Sequence, residues 1–295
     1  MIALSLSGGK DSVAASLHLR ELGLDHVRIF MDTGWEHADL YAHLDYLERE
    51  LGPVIRLTPK MPDIPAEILE RVEEIEHVVG RSPSGFVRWA VHKAMFPSRM
   101  RRYCTQELKV RPFLRWVNEQ DDDIVNVVGI RAEESVARSK LTEREPMLGA
   151  EHVEVWRPLL KWTEADVIAI HGRHGVLPCP LYLRGSTRVG CWPCIQANKG
   201  ELAALSTDDQ RVQAIRMLEA LVADLARLRR DRSPPAMFQA PIAEITADGP
   251  KYPCWPIDRV LEWSRTARGG RQMQLGGGWG QEAGCARWGL CEVAT

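Results

Sequence analysis

Nowhere along the 295 residues does an apolar run approach the roughly 20 that a membrane span requires. Neither a basic flank nor a cleavage site follows Met1, so the opening apolar residues are expected to form a strand and not a signal peptide. A soluble chain, cytoplasmic by default and with no membrane partner, is the expectation. No internal repeat divides it. Net charge is almost absent, −2 at neutral pH, and the cysteine count is odd, seven. In a cytoplasmic protein an odd count speaks against a disulfide framework and for thiols, metal ligands or redox chemistry at some of them. The first glycine turn, Ser7-Gly8-Gly9, fits neither GxxxxGK[ST] nor GxGxxG, which leaves out a Walker-type NTPase and a dinucleotide-binding protein.

With 45% hydrophobic and 26% charged residues, the chain is long enough to bury a sizeable core. Ile2 to Leu6 is a short apolar run closed by the glycine turn, and Val13, Leu17 and Leu22 follow at near-helical spacing up to Gly23. Strand candidates recur at 26–31, 54–57 and 124–130, and helix candidates at 40–51, 64–79 and 106–118. Strands alternating with helices predict an α/β fold, a Rossmann-like open parallel sheet with helices on both faces. Thr163 with Asp166, and Thr207 with Gln210, look like helix caps. After the second of these, Ile215, Leu218, Leu221, Val222, Leu225 and Leu228 form one apolar stripe, expected to be a packing face. Beyond Arg232 the composition turns to SPPAMFQAP, GPKYPCWP and GGGWG, a loop-rich end that something other than a periodic core must hold. The expected division is an α/β domain over 1–200 and a helical, cysteine-containing extension over 201–295.

Charge is unevenly placed. Residues 1–80 carry seven Lys/Arg against fifteen Asp/Glu, whereas residues 81–115 carry nine against one, Glu107. A solvated helix face is the bland account of such a run, but Arg99, Arg101 and Arg102 crowd against Cys104, and an anionic partner is expected there.

In the glycine turn, backbone N–H groups of a strand–turn–helix junction converge on one spot, and the helix dipole makes that spot suit phosphate. Lys10 adds a mobile positive charge, Ser12 a hydroxyl, and Asp11 a carboxylate for Mg²⁺ or for a hydrogen bond. An ordinary tight turn would need the glycines but not these three as well. SGGKDS here resembles the pyrophosphate loop of the ATP pyrophosphatases, the adenine nucleotide alpha-hydrolase-like superfamily. The resemblance implies that Ser7, Gly8, Gly9, Lys10, Asp11 and Ser12 grip the β- and γ-phosphates of ATP during attack on the α-phosphorus. It also places Asp32, in the DTG turn at the end of the second strand, near the adenosine; an Asp that merely caps a helix is the alternative.

Four separate segments over about residues 1–200, including RRYCTQELKVRP, GIRAEESVARSK and LPCPLYLRGSTRVGCWPC, resemble the phosphoadenosine phosphosulfate reductase family of this superfamily. The resemblance implies that Gly129 and Arg131 follow the fourth strand, with Arg131 on the nucleotide phosphates and Glu134, Ser135 and Arg138 nearby. Arg188 is then an anion contact, Lys109 lies in the matching CTxxLK segment, and Lys10, Asp11 and Arg131 form the catalytic set. One CxxC alone, Cys191 and Cys194, fits zinc, an iron–sulfur cluster, a redox dithiol or two buried thiols. Similarity to assimilatory adenylylsulfate reductases and to the DNA phosphorothioation ATP pyrophosphatase, the nearest type in motif, implies that Cys104 joins them to hold a [4Fe–4S] cluster. A fourth ligand is then wanted; Cys291 is favoured and Cys285 is next, because ligation would supply ordering energy to a glycine-rich tail. Zinc on four thiolates is the alternative, and Cys179, between prolines, reads as a buried structural thiol.

Two enzyme readings compete. A phosphoadenylyl- or adenylylsulfate reductase would carry an ECGLH-like end, whereas GLCE here is scrambled, and the reductases' loop generally lacks the lysine. The intact loop with a cluster implies instead ATP-driven adenylation of an oxygen, pyrophosphate release and replacement of that oxygen by sulfur. The acceptor expected is a polyanion such as DNA or tRNA, with sulfur from a donor such as a cysteine desulfurase. A sulfate adenylyltransferase-like subunit and a non-catalytic nucleotide-binding iron–sulfur redox sensor are further alternatives.

Overall fold

The structure, a computed structural model, describes residues 1–229, 236–247, 249–267 and 288. Cys285 and Cys291 lie outside the described residues. A central sheet holds β1 (Ile2–Ser5), β2 (Val27–Met31), β3 (Val54–Leu57), β4 (Val125–Val128), β5 (Arg144–Met147) and β6 (Ala150–Trp156). Its spatial order is β3-β2-β1-β4-β6-β5. Every pairing is parallel except that of β5, which closes one edge antiparallel to β6. The expected α/β sheet is therefore present, with an antiparallel edge hairpin that the strand spacing did not announce. From β1 the chain moves outward to β3, then returns to place β4 on β1's other side. The switch opens a crevice at the carboxyl ends of β1 and β4, where open α/β sheets bind ligands.

Successive β1 residues face opposite ways, as strand geometry requires. Leu4 joins a core with Val13 and Leu17 of α1 (Lys10–Glu21) and Leu40, Leu44 and Leu47 of α2 (Ala38–Leu51), while Ala3 joins one with Ile29, Phe113 and Trp116. The second face is covered after α3 (Ala66–Val79), α4 (Gly85–Lys93) and α5 (Tyr103–Thr105) by a π-helical turn, Gln106–Val110, that runs into α6 (Arg111–Val117). Next come α7 (Glu164–His174), α8 (Pro180–Leu183), α9 (Lys199–Leu205) and α10 (Asp209–Leu228).

Thr163 caps α7 as expected: its hydroxyl accepts from the Asp166 N–H at 3.2 Å, and Asp166 accepts from the Thr163 N–H at 2.7 Å. At α10 the cap is one residue later than expected. Asp208 accepts from Arg211 N–H at 3.0 Å, while Thr207 gives its hydroxyl to Ala204 O at 2.8 Å and finishes α9. Ile215, Leu218, Leu221 and Val222 are buried against α3 and α4, but Leu228 is 80% exposed because α10 outlasts its partners.

The expectation that the final segment lacks a periodic core is corrected for 236–267. After short strands β7 (Phe238–Gln239), β8 (Glu244–Thr246), β9 (Gly249–Lys251) and β10 (Cys254–Trp255), α11 (Ile257–Ser264) is strongly amphipathic. Its Ile257, Val260 and Leu261 join Phe238 and Trp255 on α10, in the same core as Phe86 and Trp35. Glu219 on α10 clips this segment by accepting from the N–H groups of Met237 and Ile257, each at 3.0 Å. Burial pushes its carboxyl up to about 7. A raised folded-state value means that protonated Glu219 favours the fold, so its stability contribution is full below about pH 4.5 and is lost as pH rises through 7. Thermal unfolding across that window is expected to show Tm falling in the wild type and a flatter profile in Glu219→Gln.

Candidate functional site

The site is built around the start of α1. Gly8 takes φ +72°, and a Cβ there would lie 2.5 Å from Leu40 Cδ1, so the turn needs glycine for both conformation and space. Ser7 N–H donates to Ser12 Oγ at 3.1 Å, and Ser12 Oγ donates to Gly9 O at 2.9 Å, folding the loop on itself. Gly9, at the N-cap position, has no side chain with which to cap α1. Lys10 is fixed by neighbours from α7 and α8. Its N–H donates to Tyr182 Oη at 3.2 Å, its carbonyl faces His171 Nε2 at 3.0 Å, and its Nζ lies 3.4 Å from Glu164 and 5.0 Å from the Tyr182 ring centre. Trp288 sets its ring edge-on to His171, with centres 5.1 Å apart, and lies against Tyr182.

β4 reaches the same loop. At Gly129 an added Cβ would lie 2.5 Å from Asp11 O and 2.7 Å from Ser12 N, both main-chain atoms that cannot yield as a side chain does. Gly129→Ala is therefore expected to cost about 1–3 kcal/mol, as overpacking does. Thermal unfolding checks this: the variant should melt earlier.

A cavity of about 350 Å³ opens in front of the loop. Of the residues expected at the site, Ser7, Gly9, Lys10, Asp11, Ser12, Gly129, Arg138, Arg188, Cys191 and Cys194 line it, together with Lys109, Glu134 and Tyr182. Ser135 accepts from Arg138 N–H at 3.2 Å and so shapes the turn that presents Arg138. Arg188 pairs with Glu201 at 3.1 Å. Gly8, Asp32, Arg131, Ser135 and Cys104 are not in the lining. Asp32 is buried and accepts from Gly34 N–H at 2.9 Å and Tyr41 Oη at 2.7 Å, with Arg81 on its other oxygen, so it organises its own turn. Arg131, buried, donates from Nε to Asp11 Oδ1 at 2.5 Å and from Nη1 to Glu133. It fastens the end of β4 to the loop, and in this structure its guanidinium is spent on carboxylates and not presented to the cavity.

The CWPC turn docks on the DTGW turn. Trp192 N–H donates to Trp35 O at 2.8 Å, Trp35 Nε1–H donates to Pro193 O at 3.1 Å, and Cys191 Sγ lies 3.9 Å from Glu36 Oε1. Burial pushes the Glu36 carboxyl up and the Cys191 thiol up to about 11. Lys109 sits amid the charge fields of Cys191, Glu36, Cys194 and Cys104, and its ammonium is held above its usual range, chiefly by Cys191. Cys104 is raised by burial and then by Cys194. In kind, these thiols suit an iron–sulfur or zinc group. In arrangement they stop short of one, because no three Cys, His, Asp or Glu side chains among the described residues are gathered closely enough to hold a metal. Cys179 is buried, with its thiol pushed up to about 11 by burial. No helix among the described residues is long and apolar enough to cross a membrane.

The chain is similar to known proteins over much of its length. A phage protein, the "uncharacterized 37.8 kDa protein in gpa 5′ region" of Escherichia phage 186, is 33% identical over 305 residues, 92% of this chain and 90% of its own. An adenosine 5′-phosphosulfate reductase of Allochromatium vinosum is 30% identical over 167 residues, covering 52% of this chain and 62% of its own. Among solved structures, phosphoadenylyl-sulfate reductase from Candida auris superposes with a TM-score of 0.47 at 18% identity, covering 65% of this chain and 82% of that one. The family model for the phosphoadenosine phosphosulfate reductase domain matches residues 1–197, the stretch that carries the glycine loop, β4 and the CWPC turn, and this chain belongs to that family.

Proposed function

We propose that this chain binds ATP at the glycine loop and adenylates an oxygen-bearing acceptor, a polyanion such as DNA or tRNA, releasing pyrophosphate. The observation that supports this most is the convergence of Lys10, the uncapped start of α1, Ser7 and Ser12 on one cavity also lined by Arg138 and Arg188. An acceptor oxygen attacks the α-phosphorus and the bond to the pyrophosphate oxygen breaks. Charge growing on that oxygen is met by donors already in place. Mg²⁺ would accompany the triphosphate, and Asp11, a carboxylate of the cavity lining, would hold it. The outer sulfur of a persulfide from a donor such as a cysteine desulfurase then displaces AMP from the acceptor, and an added thiol reductant cleaves the disulfide so formed, leaving the sulfur on the acceptor. Only if drawn closer together than in this structure would Cys104, Cys191 and Cys194 hold a [4Fe–4S] cluster, or zinc, with the fourth ligand from Cys291 or Cys285; such a cluster would supply a docking point for sulfur or an electron source.

Pyrophosphate release from ATP and Mg²⁺, measured with DNA, tRNA or sulfate as acceptor, tests the first step. Release that depends on an added acceptor is the expected result. No release with any acceptor, alongside sulfite formation from adenylylsulfate, would replace this reading with that of a reductase, the activity named for the Allochromatium relative. Anaerobic purification tests the metal: a brown protein with broad visible absorption supports the cluster, and a colourless zinc protein removes it.

A further inference from the structure

A second groove, of about 650 Å³, runs between the turn at 95–101, the residues after the CWPC motif and the C-terminal segment. Among the described residues that line it none is acidic, although the chain as a whole has more Asp and Glu than Lys and Arg. Arg99, Arg101 and Lys199 line it. Four other cations of the basic stretch are neutralised, Arg81 by Asp32, Arg88 by Glu76, and Lys93 and Arg111 by Glu107, while Arg115 lies by the Thr58 carbonyl, outside this groove. Arg99, Arg101 and neighbouring Arg102 are all exposed and have no ion-pair partner among the described residues. The turn that carries them is set by its own main chain, Ser98 N–H to Arg101 O at 3.1 Å and Arg101 N–H to Ser98 Oγ at 3.1 Å. Flat and soft apolar groups lie beside these charges: Tyr252 is 54% exposed, Met100 is 93% exposed, and Trp263 lies under the Lys199 ammonium at 4.6 Å. Ala197 belongs to the walls of both this groove and the loop cavity, so the two adjoin.

We infer that this groove binds a single-stranded polynucleotide, with phosphates on Arg99 and Arg101 and an unstacked base against Tyr252. Unpaired guanidiniums track a phosphate backbone, and aromatic faces take bases without regard to sequence. A duplex keeps its bases stacked and has no use for the aromatic floor. An acidic peptide would meet the cations but would leave Tyr252 and Met100 unused. The inference rests on the proposed reading only in making the bound strand the adenylation acceptor, with its path leading past Ala197 to the loop; binding itself requires no ATP.

Fluorescence anisotropy of the full chain with labelled single-stranded DNA and RNA oligonucleotides, across a salt series and without ATP, tests it. The sugar of the tighter strand names the acceptor class. Arg99→Glu/Arg101→Glu should weaken binding and lower the salt slope by roughly 1.4, two phosphates at about 0.7 each. The charge-matched control Arg20→Glu/Arg49→Glu should bind as the wild type does. Tyr252→Ala should lose about tenfold with the slope unchanged. Equal loss in the control, tighter binding of duplex than of single strand, or equal competition by polyglutamate would each overturn the inference. Strand binding without pyrophosphate release would remove the adenylation reading and leave the groove standing; release without strand binding would do the reverse.

Discussion

Lys10→Ala is expected to slow pyrophosphate release by about 10²–10³-fold, the loss typical of removing one donor aimed at developing charge. The side chain sits at the mouth of α1 with its Nζ flanked by Glu164 at 3.4 Å and Asp11 at 3.7 Å. Those carboxylates and the Tyr182 face hold the ammonium beside the loop, where a departing pyrophosphate would take it over. A lysine that served only the fold would give a different result. Its removal would lower Tm and leave the rate per folded molecule intact. Because Asp11 keeps its bond to Arg131 in the variant, the loop retains its shape, and the deficit should fall on kcat more than on KM for ATP. Steady-state kinetics beside a thermal melt separates the two. Lys10→Arg keeps the charge but enlarges and reshapes the head group, and is expected to recover little.

Glu76→Ala is expected to cost about 3–5 kcal/mol of stability, the penalty for breaking a buried ion pair from one side. Glu76 is wholly buried on α3. Its oxygens accept from Arg88 Nε at 2.7 Å, Arg88 Nη2 at 3.0 Å, Ser84 N–H at 2.8 Å and the Ser82 hydroxyl at 2.8 Å. Ser84 in turn donates its hydroxyl to Gly34 O at 2.7 Å, and the Gly34 Cα is packed so closely that a Cβ would lie 2.7 Å from Ser84 Cα. One carboxylate thus ties α3 to α4 and both to the DTG turn. Burial alone would raise its carboxyl, but Arg88 and the serine donors outweigh it and hold the value below the ordinary range. A lowered value means that the contribution is present above about pH 4.5 and disappears as pH falls. Denaturant unfolding at neutral and acidic pH checks both parts: the gap between wild type and variant should be wide at neutrality and should narrow in acid. Glu76→Gln, which keeps part of the hydrogen bonding, should lie between.

The parts of this architecture that were legible beforehand are those written locally. The β1 run, the SGGKDS turn and the stripe on α10 each declare themselves within a single short segment, because strand and helix periods and a φ-positive glycine are local demands. The β5–β6 hairpin was missed because REPM carries a proline and alternates weakly, so only its pairing with β6 makes it a strand. α11 was hidden in a proline- and glycine-rich stretch, and its eight residues gain their helix from packing on α10. The site followed the same rule. Lys10, Ser7 and Ser12 came from one motif, whereas Tyr182 and His171, which grip the Lys10 main chain, and Glu164, which faces its ammonium, lie more than 150 positions away. No periodicity links them. Arg131 was named through the family resemblance, but its engagement by Asp11 and Glu133 depends on a spatial meeting of three acidic and basic groups that spacing does not encode.

The ring of Trp288 carries a practical lesson for anyone trimming this molecule. It leans on His171 and Tyr182, the two side chains that clasp the peptide units on either side of the Lys10 Cα. A chain cut back to the end of α11 to remove its glycine-rich stretch would strip that ring away and bare both clasps to water. Crystallisation or assay of such a shortened form would therefore report on an altered glycine loop.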